Sequence, residues 1–127
     1  MNIILMQKIF LLLGALLAFV GVAAGAFGAH ALKQKLGADM LTIFEVGVRY
    51  QMYHAFAMMI SGLVLSLFQN NFMMSSGWVF LAGTVVFSGS LYVLALTGVR
   101  TWGAVTPVGG LLLLLGWLCF AIGIIKH

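Results

Sequence analysis

PVGGLLLLLGWLCFAIGII, residues Pro107–Ile125, runs without a single charged side chain and stops only at Lys126. A bilayer's hydrocarbon core, about 30 Å thick, takes roughly 20 apolar residues as a helix, so this stretch has the length and composition of a membrane span. Three more stretches of the same kind precede it: IFLLLGALLAFVGVAAGAFGA (Ile9–Ala29), Met52–Phe68 and Trp78–Leu96. They are apolar all round, without the polar and apolar alternation that a membrane β-barrel requires. The expected fold is therefore all-α, a bundle of four transmembrane helices.

Composition leads to the same conclusion. Hydrophobic residues make up 64% of the 127 and charged residues 6%, against roughly a quarter charged in a soluble domain. Six basic and two acidic side chains cannot coat a water-facing surface. The length leaves room for short connections only, so residues 1–127 read as one domain with helices at about 7–31, 39–68, 76–96 and 107–125. The first run, with Lys8 before it and Ala24-Gly25-Ala26 near its end, has the outline of a secretory signal. It is longer than a usual signal core, so a retained span is expected. The single Cys119 lies inside the fourth stretch and has no partner for an intrachain disulfide. The formal charge of +4 is dispersed, with no basic run to bind nucleic acid.

Local signals place the helix ends. Lys33-Gln34-Lys35 and Gly37 interrupt the first helix, and Asp39 is a fit N-cap for the second. That second helix, close to thirty residues or about 45 Å, exceeds the hydrocarbon thickness, so its first turns are expected outside the membrane or bent at Gly47. Gln69-Asn70-Asn71 ends it, and Ser75 or Ser76 is placed to cap the third. Thr106-Pro107 either caps and starts the fourth helix or kinks a helix that begins near Gly103. Lys33, Lys35, Arg49 and Arg100 fall on one side of the membrane, and Lys8 and Lys126 on the other. The excess of Lys and Arg puts the first and third connections in the cytoplasm and both termini outside.

Glycines give the sharpest packing signal. Gly14, Gly21 and Gly28 recur every seven residues in the first helix, with Gly25 on the same stripe, and Gly109, Gly116 and Gly123 repeat the pattern in the fourth. Lipid tails are as apolar as leucine, so membrane helices associate through close backbone approach, which glycine permits. Both stripes are expected to face helices, each other among them, and not lipid.

The second helix carries the one dense polar constellation, Glu45, Arg49, Tyr50, Tyr53 and His54. Glu45 and Arg49 are spaced to pair on one face. At 100° per residue, His54 lies about 180° from Glu45, with Tyr50 beside it. Ionisable groups at membrane depth are costly and tend to face protein or water. His30, Glu45, Arg49, Tyr50, His54 and Arg100 are thus the candidates for a polar pocket at the cytoplasmic ends, able to hold an anionic headgroup or small solute. The other reading of these side chains is an interfacial anchor, with tyrosines at the headgroups and Arg49 snorkelling outward.

Specific chemistries find little. Two histidines near one interface carry no further haem signature, zinc-ligand spacing is absent, and the serines of the third helix have no acidic partner for nucleophilic catalysis. No catalytic residue, metal or cofactor is expected. A proton-coupled transporter needs a carboxylate well inside the bilayer, and Glu45, the sole candidate, lies towards a helix end.

Four segments carry a resemblance: Gly25-Ala-Phe-Gly-Ala-His30-Ala-Leu-Lys33, Phe44-Glu-Val-Gly-Val-Arg-Tyr-Gln-Met-Tyr-His54-Ala55, Phe87-Ser-Gly-Ser-Leu-Tyr-Val-Leu-Ala-Leu-Thr-Gly98 and Gly103-Ala-Val-Thr-Pro-Val-Gly-Gly110. Together they resemble the uncharacterised family of small four-helix membrane proteins that includes the bacterial YgdD and YwdK proteins and has mitochondrial transmembrane relatives. The resemblance spans nearly the whole chain and implies a multi-pass protein of the bacterial inner membrane. It brings no activity, cofactor or catalytic residue. The expected function is non-enzymatic: an accessory or assembly factor whose partners are membrane lipids, another membrane protein or a second copy of itself. A small transporter or channel is the alternative.

Overall fold

The computed structural model describes residues 2–127. Among them, four long helices account for most of the chain: α1 from Ile3 to Leu32, α2 Ala38–Val64, α3 Asn71–Thr97 and α4 Thr106–Ile125, with a short 3₁₀ turn, Arg100–Ala104, before α4. α1 opens at Asn2, whose side-chain oxygen accepts the Leu5 amide at 3.0 Å. It widens to a π-helical turn at Ala24–Gly28, where the small Ala-Gly-Ala-Phe-Gly segment tolerates the looser winding, and resumes as Ala29–Leu32.

Several helix boundaries differ from expectation: α1 begins at Ile3, before residue 7, and α2 ends at Val64, short of Phe68 and of the Gln69-Asn70-Asn71 stop. The N-cap of α2 is Gly37, in extended conformation, and Asp39 falls inside the first turn. There its charge still suits the positive end of the helix dipole. α3 begins at Asn71, not near Ser76, because Asn70 caps it: its oxygen accepts the Met73 amide at 3.0 Å. The other half of the same amide donates to the Gly123 carbonyl of α4 at 2.8 Å, so one side chain starts a helix and fixes its neighbour. Thr106 does not cap α4; its hydroxyl shares a 2.6 Å hydrogen bond with Ser90 on α3. Pro107 stands in the first turn of α4 and starts the helix without kinking it. Gly98 closes α3 in the left-handed conformation (φ 71°), which glycine adopts without strain.

Three of the four helices are long and apolar enough to cross a membrane: Ile3–Leu32, Asn71–Thr97 and the helical run Arg100–Ile125. α2 has the same 27 residues as α3. Its polar residues Glu45, Arg49, Gln51 and His54 keep it below the hydropathy of a simple span.

α2 and α3 are the inner pair. α1 packs on α2, and α4 packs on α3. Only 17% of the most apolar window of α1 and 22% of that of α4 are buried, against 44% for α3. The outer surface of both flanking helices is large and apolar, from Phe19 (73% exposed) and Phe27 to Leu114 and Ile125 (80%). No aqueous surface of this size would be stable, and hydrocarbon is the solvent it suits.

This order corrects one expectation about the glycine stripes. They do face helices, but they do not face each other. A Cβ on Gly14 would lie 2.9 Å from the Ala55 carbonyl, one on Gly21 2.5 Å from the Met52 sulfur, one on Gly25 3.0 Å from Val48 and one on Gly28 3.3 Å from Phe44, all on α2. On α4, a Cβ on Gly109 would lie 2.6 Å from the Phe87 Cα, one on Gly116 2.6 Å from the Phe80 ring and one on Gly123 3.0 Å from the Met73 nitrogen, all on α3. The two stripes grip opposite flanks of the inner pair. Where the helices need a thicker joint, Phe10 supplies it: fully buried, it reaches from α1 against Gly62 of α2 and Gly77 of α3, and meets the Trp78 ring edge-on at 5.4 Å.

Candidate functional site

Polar groups join the helices in pairs along the inner seams. The Ser61 and Ser76 hydroxyls meet at 3.0 Å between α2 and α3, and the Ser88 hydroxyl donates to the Gly47 carbonyl at 2.6 Å. Gln51, buried on α2, donates to the Leu17 carbonyl of α1 at 2.8 Å and accepts from the Tyr92 phenol of α3 at 2.6 Å. One amide thereby ties three helices. With no water in hydrocarbon to satisfy these groups, each pairing removes a cost of burial, and an interhelical bond of this kind contributes about 0.6–2 kcal/mol.

His54 makes the link that bypasses α3. It is 5% exposed, and its Nε2 accepts the indole N–H of Trp117 on α4 at 3.1 Å. Its Nδ1 lies 2.8 Å from the Tyr50 carbonyl, which can only accept. The proton of the ring is therefore on Nδ1, and the imidazole is neutral with both nitrogens engaged. A His held this way is a poor general base, since taking a proton would cost it the indole.

Around this pair lies a cleft of about 480 Å³ between α2, α3 and α4. Tyr50, Tyr53 and His54 form one wall, Phe87 the floor, and Gly110, Leu113, Leu114 and Trp117 the other wall. Its rings are in mutual contact: Tyr50 lies 4.7 Å from Phe87 and 5.7 Å, edge-on, from Tyr53. Trp117 lies 4.8 Å from Phe80, behind the cleft. Gly110 leaves the cleft open, since a Cβ there would meet only the Phe87 ring, at 3.9 Å. A second cavity of about 490 Å³ lies between α1 and α2, lined by Ala15, Ala18, Phe19, Val22, Ala23, Phe27, Met52 and Phe56.

Of the candidates named from sequence, Tyr50 and His54 line the first cleft. His30, at the end of α1, Glu45 and Arg49, on the first half of α2, and Arg100, in the 3₁₀ turn, are exposed and line neither cavity. Tyr53, which helical spacing groups with Glu45 and Arg49, joins Tyr50 and His54 at the cleft. Gln51, Tyr92 and Trp117 are the partners that sequence reasoning did not single out as site residues. Gln51 had a signal: an amide well inside a membrane helix is costly unless it is paired. Among the described residues, no three His, Cys, Asp or Glu side chains come together as a metal site. The arrangement suits holding an apolar molecule against a ring-lined wall.

The comparisons place the chain among bacterial membrane proteins. The model of a protein family of unknown function, DUF423, matches residues 24–110, from the π turn of α1 to the cleft glycine. The chain belongs to this family. It is 46% identical over 120 residues to a UPF0382 membrane protein of Staphylococcus saprophyticus, covering 94% of this chain and 99% of that one. It is 36% identical over 122 residues to the UPF0382 membrane protein YwdK of Bacillus subtilis, covering 95% and 99%. The resemblance to YwdK read from the four segments is thus met across the chain. No solved structure matches.

Proposed function

We propose that the protein is a non-enzymatic, multi-pass membrane protein that binds lipid through the cleft between α2 and α4, as an accessory or assembly factor of the bacterial inner membrane. In this reading all four helices cross the bilayer, α2 included, because its polar residues are either paired inward, as Gln51 and His54 are, or near its cytoplasmic end, as Glu45 and Arg49 are. The connections α1–α2 and α3–α4 lie on the cytoplasmic side, where Lys33, Lys35, Arg49 and Arg100 gather.

The observation that carries the reading is the cleft itself. Its volume is in the range of small-molecule sites, and those sites are mostly apolar with a few placed polar groups. Its one buried polar side chain, His54, is satisfied by the indole of the part-exposed Trp117, which leaves walls suited to an apolar guest. Partners among proteins would dock on the outer faces of α1 and α4. Gentle extraction of the tagged protein, with identification of co-purifying lipids and proteins, tests the reading: a stoichiometric lipid lost from a cleft-filled Gly110→Leu variant is the expected result, and lipid content unchanged by that substitution refutes it.

One observation favours the transporter as a second reading. Thr84, 2% exposed and on the inner face of α3 between Ser76 and Ser88, has a hydroxyl with no hydrogen-bond partner among the described residues. A buried hydroxyl left unpaired costs about 1–3 kcal/mol, and a passing solute or water would relieve it. Solute flux in reconstituted vesicles that falls in Thr84→Val would support permeation.

A further inference from the structure

The cleft and its surroundings say what kind of lipid would fit. We infer that it takes one acyl chain of an anionic phospholipid, whose phosphate sits at the mouth on Arg49 and the phenols of Tyr53 and Tyr50. This rests on the lipid-binding reading above and adds to it the headgroup.

Inside the cleft, His54 and Trp117 use their ring nitrogens on each other and on the Tyr50 carbonyl. Apart from the phenols of Tyr50 and Tyr53, the rest of the lining is Gly110, Leu113, Leu114 and ring faces. That environment takes a hydrocarbon chain. Tyr50 and Tyr53 are 38% and 54% exposed, whereas the third tyrosine, Tyr92, spends its hydroxyl on Gln51.

Arg49 stands one turn before Tyr53 on α2, on the side of the α1–α2 connection, and is exposed. Its long side chain snorkels towards the headgroups, and its guanidinium offers a planar fork to phosphate oxygens that lysine lacks. A guanidinium one turn from a free phenol puts two kinds of donor on the headgroup side of the cleft, which matches an anionic headgroup and not the apolar face of a second copy. Glu45, one turn further out on the same side of α2, is the group that competes for Arg49.

Trp117 lines the cleft, which makes it a reporter. In a variant with Trp78→Phe and Trp102→Phe, Trp117 is the remaining tryptophan, and bromine on a lipid chain quenches it on contact. Reconstitution in bilayers containing chain-brominated phosphatidylglycerol or chain-brominated phosphatidylcholine at equal fraction compares the two headgroups. Stronger quenching by phosphatidylglycerol is expected, corresponding to about fivefold preference, the effect of one cation near an anionic surface. Arg49→Gln should abolish the preference, Arg49→Lys restore part of it, and Glu45→Gln increase it.

Equal quenching by the two lipids, lowered for both by Gly110→Leu, would overturn the headgroup assignment and leave the lipid cleft standing. Quenching that Gly110→Leu does not change would overturn both. Quenching that is weak in both lipids and rises when the protein is diluted in the bilayer would place a second copy in the cleft, and would also overturn the inference.

Discussion

Two lateral cavities of nearly equal volume, about 480 and 490 Å³, flank α2 on opposite sides, and they are built from different materials. The groove towards α1 is lined only by alanine, valine, methionine and phenylalanine. The cleft towards α4 has an apolar wall facing a wall of two tyrosines and a histidine, the latter held in one tautomer by Trp117. On the lipid-binding reading, any acyl chain would suit the first, because nothing in it distinguishes one chain from another. Only the second combines fixed ring geometry with phenols and has an exposed arginine one turn along α2, so the proposed selectivity is assigned there. Size alone does not separate a binding site from a gap between helices; placed polar groups do.

The largest effect that sharpens this contrast involves two adjacent glycines. Gly109 is a seam residue whose Cβ would lie 2.6 Å from the Phe87 backbone, whereas Gly110 faces the open cleft with its nearest contact at 3.9 Å. Gly109→Leu is expected to separate α4 from α3 and cost about 1–3 kcal/mol or more by overpacking, seen as a lower midpoint in detergent unfolding. Gly110→Leu is expected to leave that midpoint nearly unchanged and to expel lipid. Equal destabilisation by the two would mean that the cleft is not open.

A smaller loss is expected for Gln51→Leu, which strips the Leu17 carbonyl and the Tyr92 phenol of their partner. Two buried groups left unpaired would cost about 1–3 kcal/mol each if neither found another partner. Because helices in a membrane re-pair such groups, the total should fall nearer the low end. Unchanged stability would show that the amide is not the joint of α1, α2 and α3. His54→Phe keeps a ring of similar size and removes the acceptor of the Trp117 indole, at a cost of about 0.6–2 kcal/mol. A shift in Trp117 emission should accompany it. Smallest of all is Ala18→Leu in the groove on the α1 side, expected within about 0.5 kcal/mol of the parent and without effect on lipid content.

Much of this was legible in the sequence. The apolar runs are helical in the structure, and the glycines of both stripes lie against a neighbouring helix, because glycine permits close approach and the four runs offered only one another. Which helix each stripe faces was not legible. The sevenfold repeats of Gly14, Gly21 and Gly28 and of Gly109, Gly116 and Gly123 fit any helix with matching bulk; the partners recur at the same spacing, Met52 and Met59 on α2 and Met73, Phe80 and Phe87 on α3, but in residue types too common in this chain to stand out.

The site was half legible for a similar reason. Charge drew attention to Glu45, Arg49 and Arg100, yet the hydrogen-bonded interior is made by Gln51, Tyr92, His54 and Trp117, of which only the histidine is ionisable near neutral pH. Asn70 shows the same limit at a helix end: it reads as a loop residue, and its second bond, to Gly123, spans 53 positions of sequence.

The most direct measurement is the lipid content, by native mass spectrometry, of the parent protein, Gly110→Leu and Ala18→Leu extracted from the same membranes. A bound phospholipid present in the parent and in Ala18→Leu but absent from Gly110→Leu is the expected result. Loss in Ala18→Leu with retention in Gly110→Leu, or equal retention in all three, would contradict the assignment of the site to the cleft between α2 and α4.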